Sequence, residues 1–377
     1  MNVVQQKLLQ ILSTEIGGFN GQTEIDLEQL QSVLSLAKVH TVDGLLANVV
    51  MEGKVKIAEK DSEKNDRKIL LIKLSQLQKQ QEVCSLRFES ALSETVKLLQ
   101  GEGIDFVVFK GLAVASFYPI PSSRTMGDID FYVPQWDYER ALQVIEKKLK
   151  VNVKRCDVDK HDTFKYRDIC FEMHYQMETF GCEKHQSYFS TLADRDIKDN
   201  RLGHFCISNN IQVPMLSPEV DLILVFKHMF NHLIGEGVGL RQITDMAVLI
   251  HAYASTLNID TLREHLQNIG YLKAFDAMVA LVGRYYNVRW EAYRKHLSTK
   301  DFHMADLLMS DILKNGNFGR LDYKYRSGWK KRMETTCRFF ANCTKYFCLA
   351  PWEIMCLVPK RIMISLKAHQ LTFNDER

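Results

Sequence analysis

Arg124-Thr125-Met126-Gly127-Asp128-Ile129-Asp130-Phe131-Tyr132-Val133-Pro134-Gln135-Trp136-Asp137 sets two carboxylates two residues apart inside a short apolar run. Gly127 precedes the first acid and Pro134 closes the run, which predicts a strand from Asp128 to Val133. A strand's side chains alternate with period 2, so Asp128 and Asp130 share one face while Ile129 and Phe131 take the other. Like charges this close destabilise a sheet. A divalent cation removes that cost, and hard carboxylate oxygens suit Mg²⁺, which completes its shell with water and substrate phosphates. A bare Asp-x-Asp is also compatible with two solvated acids at a strand edge, so the neighbouring sequence has to decide.

Upstream, Ile104 to Phe109 is a second apolar run. It stops at Lys110-Gly111 and is followed by a helical stretch from Leu112 to Tyr118. A strand that turns at a glycine into a helix leaves backbone N–H groups free for phosphate oxygens, and Lys110 adds a positive charge. Downstream, Thr163–Tyr166 and Cys170–Tyr175 read as two strands joined by a tight turn at Arg167-Asp168. Glu172 and His174 then share a face opposite Phe171, Met173 and Tyr175. Three acids on adjacent strands are what a two-metal phosphoryl-transfer site requires.

Lys110-Gly111, Tyr118-Pro119, Arg124, Gly127-Asp128-Ile129-Asp130-Phe131-Tyr132-Val133 and Glu172-Met173-His174, in this order, resemble the DNA polymerase beta-type nucleotidyltransferase superfamily. More narrowly, they are similar to its bacterial branch of uncharacterised nucleotidyltransferases. The resemblance continues through Leu216–Asp221, His228, Leu240–Asp245 and Gly316-Asn317-Phe318-Gly319, and so covers most of the chain. It implies an α+β fold: a small mixed β-sheet core flanked by N-terminal and C-terminal helical regions. It also implies transfer of a nucleoside monophosphate from a nucleoside triphosphate to an acceptor hydroxyl, with Mg²⁺ or Mn²⁺ as cofactor and pyrophosphate as leaving group.

In that reading Asp128 and Asp130 hold the metal, and Glu172 is a third ligand or the general base. Lys110, Gly111, Gly127 and Arg124 position phosphates, Arg124 through a bidentate fork. His174 orients Glu172 or meets the acceptor, or is a core histidine. Arg241 and Asp245 stand four apart. They are either a surface ion pair or part of a helix closing over the nucleotide. Leu112 departs from the superfamily, which commonly has Gly or Ser there, and leaves the triphosphate to Lys110 and the following helix start. The acceptor is expected to be a small molecule ahead of protein or nucleic acid. A non-catalytic nucleotide-sensing adaptor on the same scaffold is the alternative.

The 377 residues suffice for two or three domains. A hydrophobic content of 46%, a charged content of 25% and a net charge of +3 describe an ordinary globular protein and give no argument for nucleic acid. No run approaches the eighteen apolar residues of a membrane span, so a cytoplasmic protein without a membrane partner is expected. The nine cysteines follow no zinc-module spacing and read as reduced thiols.

Periodicity divides the chain into a helical region over 1–103, a core over 104–213 and a helical region over 214–377. Glu52 to Lys68 reads as a loop or exposed helix end, and Tyr138–Leu149 as an amphipathic covering helix. Ser217 is expected to cap a helix that begins at Pro218. His228 and His232 share a helical face and allow a metal pair, packing or a substrate contact. From Arg320 to Lys345, Lys324, Arg326, Lys330, Lys331, Arg332 and Arg338 alternate with Tyr323, Tyr325, Trp329, Phe339 and Phe340. This is either a base-stacking surface or an amphipathic helix with its rings in a core.

Overall fold

The computed structural model describes residues 1–19, 21–58, 61–156, 160–317 and 328–374. Phe318, Gly319, Tyr323, Lys324, Tyr325 and Arg326, singled out above, lie outside them. The fold is α+β.

Among the described residues eight short strands form three sheets: β1 (Thr23–Ile25), β2 (Val55–Ile57), β3 (Val107–Phe109), β4 (Ile129–Tyr132), β5 (His161–Tyr166), β6 (Ile169–His174), β7 (Gly203–Ile207) and β8 (Ile211–Met215). The central sheet has the order β3-β4-β6-β5. β4 runs parallel to β6 and antiparallel to β3, and β5 and β6 form an antiparallel hairpin. Its turn is the expected Arg167-Asp168 pair, both with positive φ (53° and 62°). That geometry matches the right-handed twist of the strands on either side.

Ile129, Phe131, Phe171 and Met173 leave the sheet on its apolar face. There they meet Ala141, Leu142 and Ile145 of the covering helix Tyr138–Leu149, which falls where its periodicity predicts. The far end of the 38-residue helix Lys64–Gly101 packs into the same core through Leu92, Val96 and Leu99. Near its start, Leu70 and Leu74 belong to a second, larger core. That core unites the N-terminal helices with those of the last third, including Pro218–Ile234, Leu240–Tyr253 and Leu272–Tyr285.

Three local expectations are corrected. The stretch read as a loop from Glu52 contains β2, which pairs parallel with β1 inside a region whose periodicity is otherwise helical. Each of these strands is only three residues long, too short to show a period. Pro214, beyond which the chain is expected to turn helical, sits inside β8, whose one strand partner among the described residues is β7. A proline with no N–H to donate is tolerated in such an edge strand. Ser217 occupies the N-cap position before Pro218, but its hydroxyl donates to Asp196 and caps nothing. None of the nine cysteines is joined in a disulfide. Among the described residues no helix is long and apolar enough to cross a membrane.

Candidate active site

β3 ends at Phe109, and the chain then turns sharply: Lys110 has φ +56° and Gly111 φ +23°. A Cβ on Gly111 would stand 3.2 Å from the Asp128 carbonyl oxygen, so the glycine lets this turn lie against the strand that carries the acids. The helix that follows is Gly111–Ala115, five residues long and shorter than its apolar run suggests. Leu112 points into the sheet core, away from the cleft, and therefore does not crowd it.

The polar face of the sheet is set by register. Asp130 of β4 stands directly opposite Glu172 of β6, and His174 directly opposite His161 of β5. Directly paired residues share a face, as do residues two apart on one strand. Asp130, Glu172, His174 and His161 therefore all emerge on the side away from Phe131, Phe171 and Met173. Asp128 lies just before β4. Asp128, Asp130 and Glu172 line one cavity of about 830 Å³, together with Lys110, Gly111, Arg124, Gly127, Arg241 and Asp245.

Charge is unevenly compensated along this face. Burial raises Asp128, and the nearby Asp130 and Glu172 raise it further; Lys110 and Arg241 offset part of this, leaving the carboxyl at about 6. Burial would also raise Asp130. There, however, Lys110 Nζ lies 3.3 Å from Oδ1 and His174 Nε2 2.9 Å from the same oxygen, and both hold the carboxylate well below its usual range. Burial pulls the Lys110 ammonium down, but Asp130, Glu178 and Glu172 more than reverse it.

Arg124 and Asp245 do not behave as the sequence suggests. Arg124 donates Nε to Asp245 Oδ1 at 2.7 Å and Nη2 to Oδ2 at 2.8 Å, and the Tyr118 hydroxyl donates to Oδ1 at 2.7 Å. Arg124 and Asp245 are both buried. The guanidinium fork expected to grip phosphate is already spent on Asp245, and the expected Arg241–Asp245 surface pair does not form. Arg241 instead donates Nη1 to the Thr125 carbonyl at 3.4 Å, while its buried Nε has no hydrogen-bond partner. Burial first, and then Arg124, pull its pKa down. Gly127 is exposed, and a Cβ there would meet nothing within 4 Å.

The sequence reading missed Glu178. Its buried carboxylate lies 2.7 Å from Lys160 Nζ, 2.6 Å from His228 Nδ1 and 3.7 Å from Lys110 Nζ, and it accepts from Asn231 Nδ2 at 2.7 Å. These partners overcome burial and hold it well below its usual range. His228 and His232 do share a face, with Nε2 atoms 3.1 Å apart. Burial above all pushes them down to about 4 and about 3. Among the described residues, the group with metal-ligating spacing is a different one, His161, Glu172 and His174. Glu178 follows β6 in an irregular segment with no period to reveal it. His161 was legible: extending β5 two residues back from Thr163 puts it on the acidic face.

The C-terminal helices Gly328–Lys345 and Pro351–Asn374 bring Phe339, Leu357, Lys360 and Arg361 to the cavity wall. Of the rings in the basic aromatic stretch, Phe339 is buried and Phe340 exposed. The last helix is anchored by buried Glu353, which accepts from the Gly181 and Cys182 N–H groups at 2.8 and 3.1 Å and lies 2.5 Å from His185 Nδ1.

An acidic row on a small mixed sheet beside a strand-to-helix turn belongs to the nucleotidyltransferase class. The chain is a member of the family described as "Uncharacterised nucleotidyltransferase", whose family model matches residues 26–287, and so belongs among enzymes that transfer nucleotidyl groups. No curated protein matches it. Among solved structures it is similar to an antigenic nucleotidyltransferase-like protein from Paracoccidioides brasiliensis (14% identity, TM-score 0.34, 58% of this chain and 98% of that one). It is also similar to the antibiotic-resistance factor ANT(2'')-Ia (11% identity, TM-score 0.34, 54% of this chain and 100% of that one). A tRNA nucleotidyltransferase solved with a primer tRNA and an ATP analogue is a more distant likeness (13% identity, TM-score 0.21, 75% of this chain and 100% of that one).

Proposed function

We propose that this chain transfers a nucleoside monophosphate from a nucleoside triphosphate to the hydroxyl of a small-molecule acceptor, releasing pyrophosphate, with Mg²⁺ or Mn²⁺ held by Asp128, Asp130 and Glu172. The observation that carries this reading is the Asp130–Glu172 pairing across adjacent parallel strands, with Asp128 driven up to about 6 by burial and by those two acids. A folded chain gains nothing from such crowding, and a divalent cation is the group that relieves it. When bound, the ion neutralises charge on the phosphates and on the attacking and leaving oxygens.

The remaining residues divide the work. Lys110, presented by the strained turn before Gly111, keeps Asp130 ionised and ready to ligate. Arg241, with its unpartnered Nε, meets the phosphates in place of Arg124. The Arg124–Asp245–Tyr118 clamp fixes the helix Leu240–Tyr253 so that Arg241 projects over the acids. A cavity of about 830 Å³ lies within the roughly 300–1,000 Å³ of small-ligand clefts, which suits a nucleotide with a small acceptor.

The test is pyrophosphate release from the four common triphosphates with Mg²⁺ or Mn²⁺ against pooled metabolites. Asp130→Asn should cut turnover by roughly 100-fold or more, beyond the loss seen when only an outer partner of a ligand is removed. Full activity in that variant would refute the assignment. Nucleotide binding without pyrophosphate release across all acceptors would instead favour the adaptor reading.

A further inference from the structure

We propose that His161 and His174 join Glu172 in a second, nitrogen-bearing metal site that takes a divalent first-row transition ion, of which Mn²⁺ is the accessible probe. This rests on the transferase reading and extends it to the kind of ion the cleft selects.

Three ligand atoms converge at the β5–β6 edge of the acidic row. Glu172 Oε2 lies 3.5 Å from His161 Nδ1 and 3.4 Å from His174 Nε2, and the three residues offer ligand atoms all within 4.8 Å of one another. The hairpin imposes this arrangement, because His161 and His174 are direct cross-strand partners with ring centroids 4.8 Å apart. The three belong to neighbouring positions of one rigid ladder, so no loop has to move to bring them together.

His174 stands where it can serve an ion as well as Asp130. Its Nε2 donates to Asp130 Oδ1 at 2.9 Å and lies 3.4 Å from Glu172 Oε2, while Nδ1 faces the Gln176 carbonyl oxygen at 3.4 Å. A cation bound here would take the place of the Nε2 proton. A ligating histidine usually directs its other ring nitrogen at a backbone carbonyl, and Nδ1 is aimed that way.

The donor set decides the class of ion. Mg²⁺ prefers an all-oxygen shell and sheds water reluctantly. Imidazole nitrogen suits the first-row transition ions, and a mixed nitrogen and carboxylate set admits Mn²⁺. Glu172 is shared, with Oε2 toward the imidazoles and its charge felt by Asp128, so this ion sits beside the one held by Asp128 and Asp130.

Metal-stripped full-length protein titrated with Mn²⁺, without nucleotide, tests this by electron paramagnetic resonance. Bound Mn²⁺ should show the nitrogen coupling of coordinated imidazole in pulsed spectra. His161→Ala and His161→Gln should weaken Mn²⁺ binding by about tenfold or more, while calorimetric Mg²⁺ binding changes less than about twofold. Circular dichroism checks that the variants fold, and the wild-type spectrum decides the matter if they do not. An oxygen-only spectrum, or unchanged Mn²⁺ affinity in both folded variants, overturns the site. An oxygen-only spectrum together with Asp130-dependent transfer would sink this site and leave the transferase reading intact. Nitrogen-coupled Mn²⁺ in a protein whose D130N variant transfers at full rate would do the reverse.

Discussion

Two buried charged groups lie within one cleft and are built on opposite principles. Around Asp245 every charge is answered: Arg124 grips both carboxylate oxygens and Tyr118 adds a third bond. Along the acidic row the account stays open. Lys110 and His174 satisfy Asp130, while at Asp128 burial together with Asp130 and Glu172 outweighs Lys110 and Arg241 and raises the carboxyl to about 6. A closed group holds elements in place, whereas an open one waits for a ligand to complete it. The clamp joins the segment before β4 to a helix more than a hundred residues away, and the row is what that joint presents.

Breaking the closed group should have the largest effect. Asp245→Ala leaves the Arg124 guanidinium buried without its counter-charge, which costs about 3–5 kcal/mol; a large fall in melting temperature is expected, and an unchanged one would show the clamp to be ornamental. Opening the row further should act the other way on stability. Asp128→Asn removes a repelled carboxylate and should lower transfer by roughly 100-fold, while raising metal-free stability at pH 7 by about 1–3 kcal/mol. The sign follows from the raised pKa: the folded state binds this proton more tightly than the unfolded chain, so wild-type stability falls relative to the variant as pH rises from about 4 to about 6. Denaturant titrations of both proteins at pH 4, 5, 6 and 7 would check this, and curves that stay parallel would count against the repulsion.

A smaller effect is expected at Arg241. Arg241→Ala should raise the apparent KM for the triphosphate by about tenfold, as a lost charged hydrogen bond of about 1.5–3 kcal/mol would, with little change in melting temperature; an unaltered KM would return the phosphates to Lys110 alone. Smallest is Gly127→Ala. Its Cβ meets nothing, so stability should stay within about 0.5 kcal/mol, and a larger loss would mean that the glycine is required by the backbone.

What the sequence disclosed and what it withheld follow the same division. The acidic row was legible in parts because strand period is a local rule: spacing alone puts Asp128 with Asp130 and Glu172 with His174, and the apolar repeat gives the covering helix Tyr138–Leu149. Only the family resemblance joined Glu172 to the Asp pair, since the parallel β4–β6 pairing that aligns them is not local. The clamp was not. Arg124 and Asp245 are 121 positions apart, and the i, i+4 spacing of Arg241 and Asp245 suggested a nearer partner that the fold does not use. Glu178 escaped because an irregular segment carries no period. The β1–β2 pair escaped because three-residue strands show too little alternation to separate them from a loop.

The helix Lys64–Gly101 has the broadest consequence. At about 1.5 Å per residue its 38 residues run close to 57 Å, and its two ends are embedded in different apolar interiors, Leu70 and Leu74 in one and Leu92, Val96 and Leu99 in the other. Neither interior can melt without exposing part of a rod that the other needs. Heat should therefore take the sheet and the helical bulk together, in a single calorimetric transition, and the protein carries its chemistry on a chassis that fails as one piece.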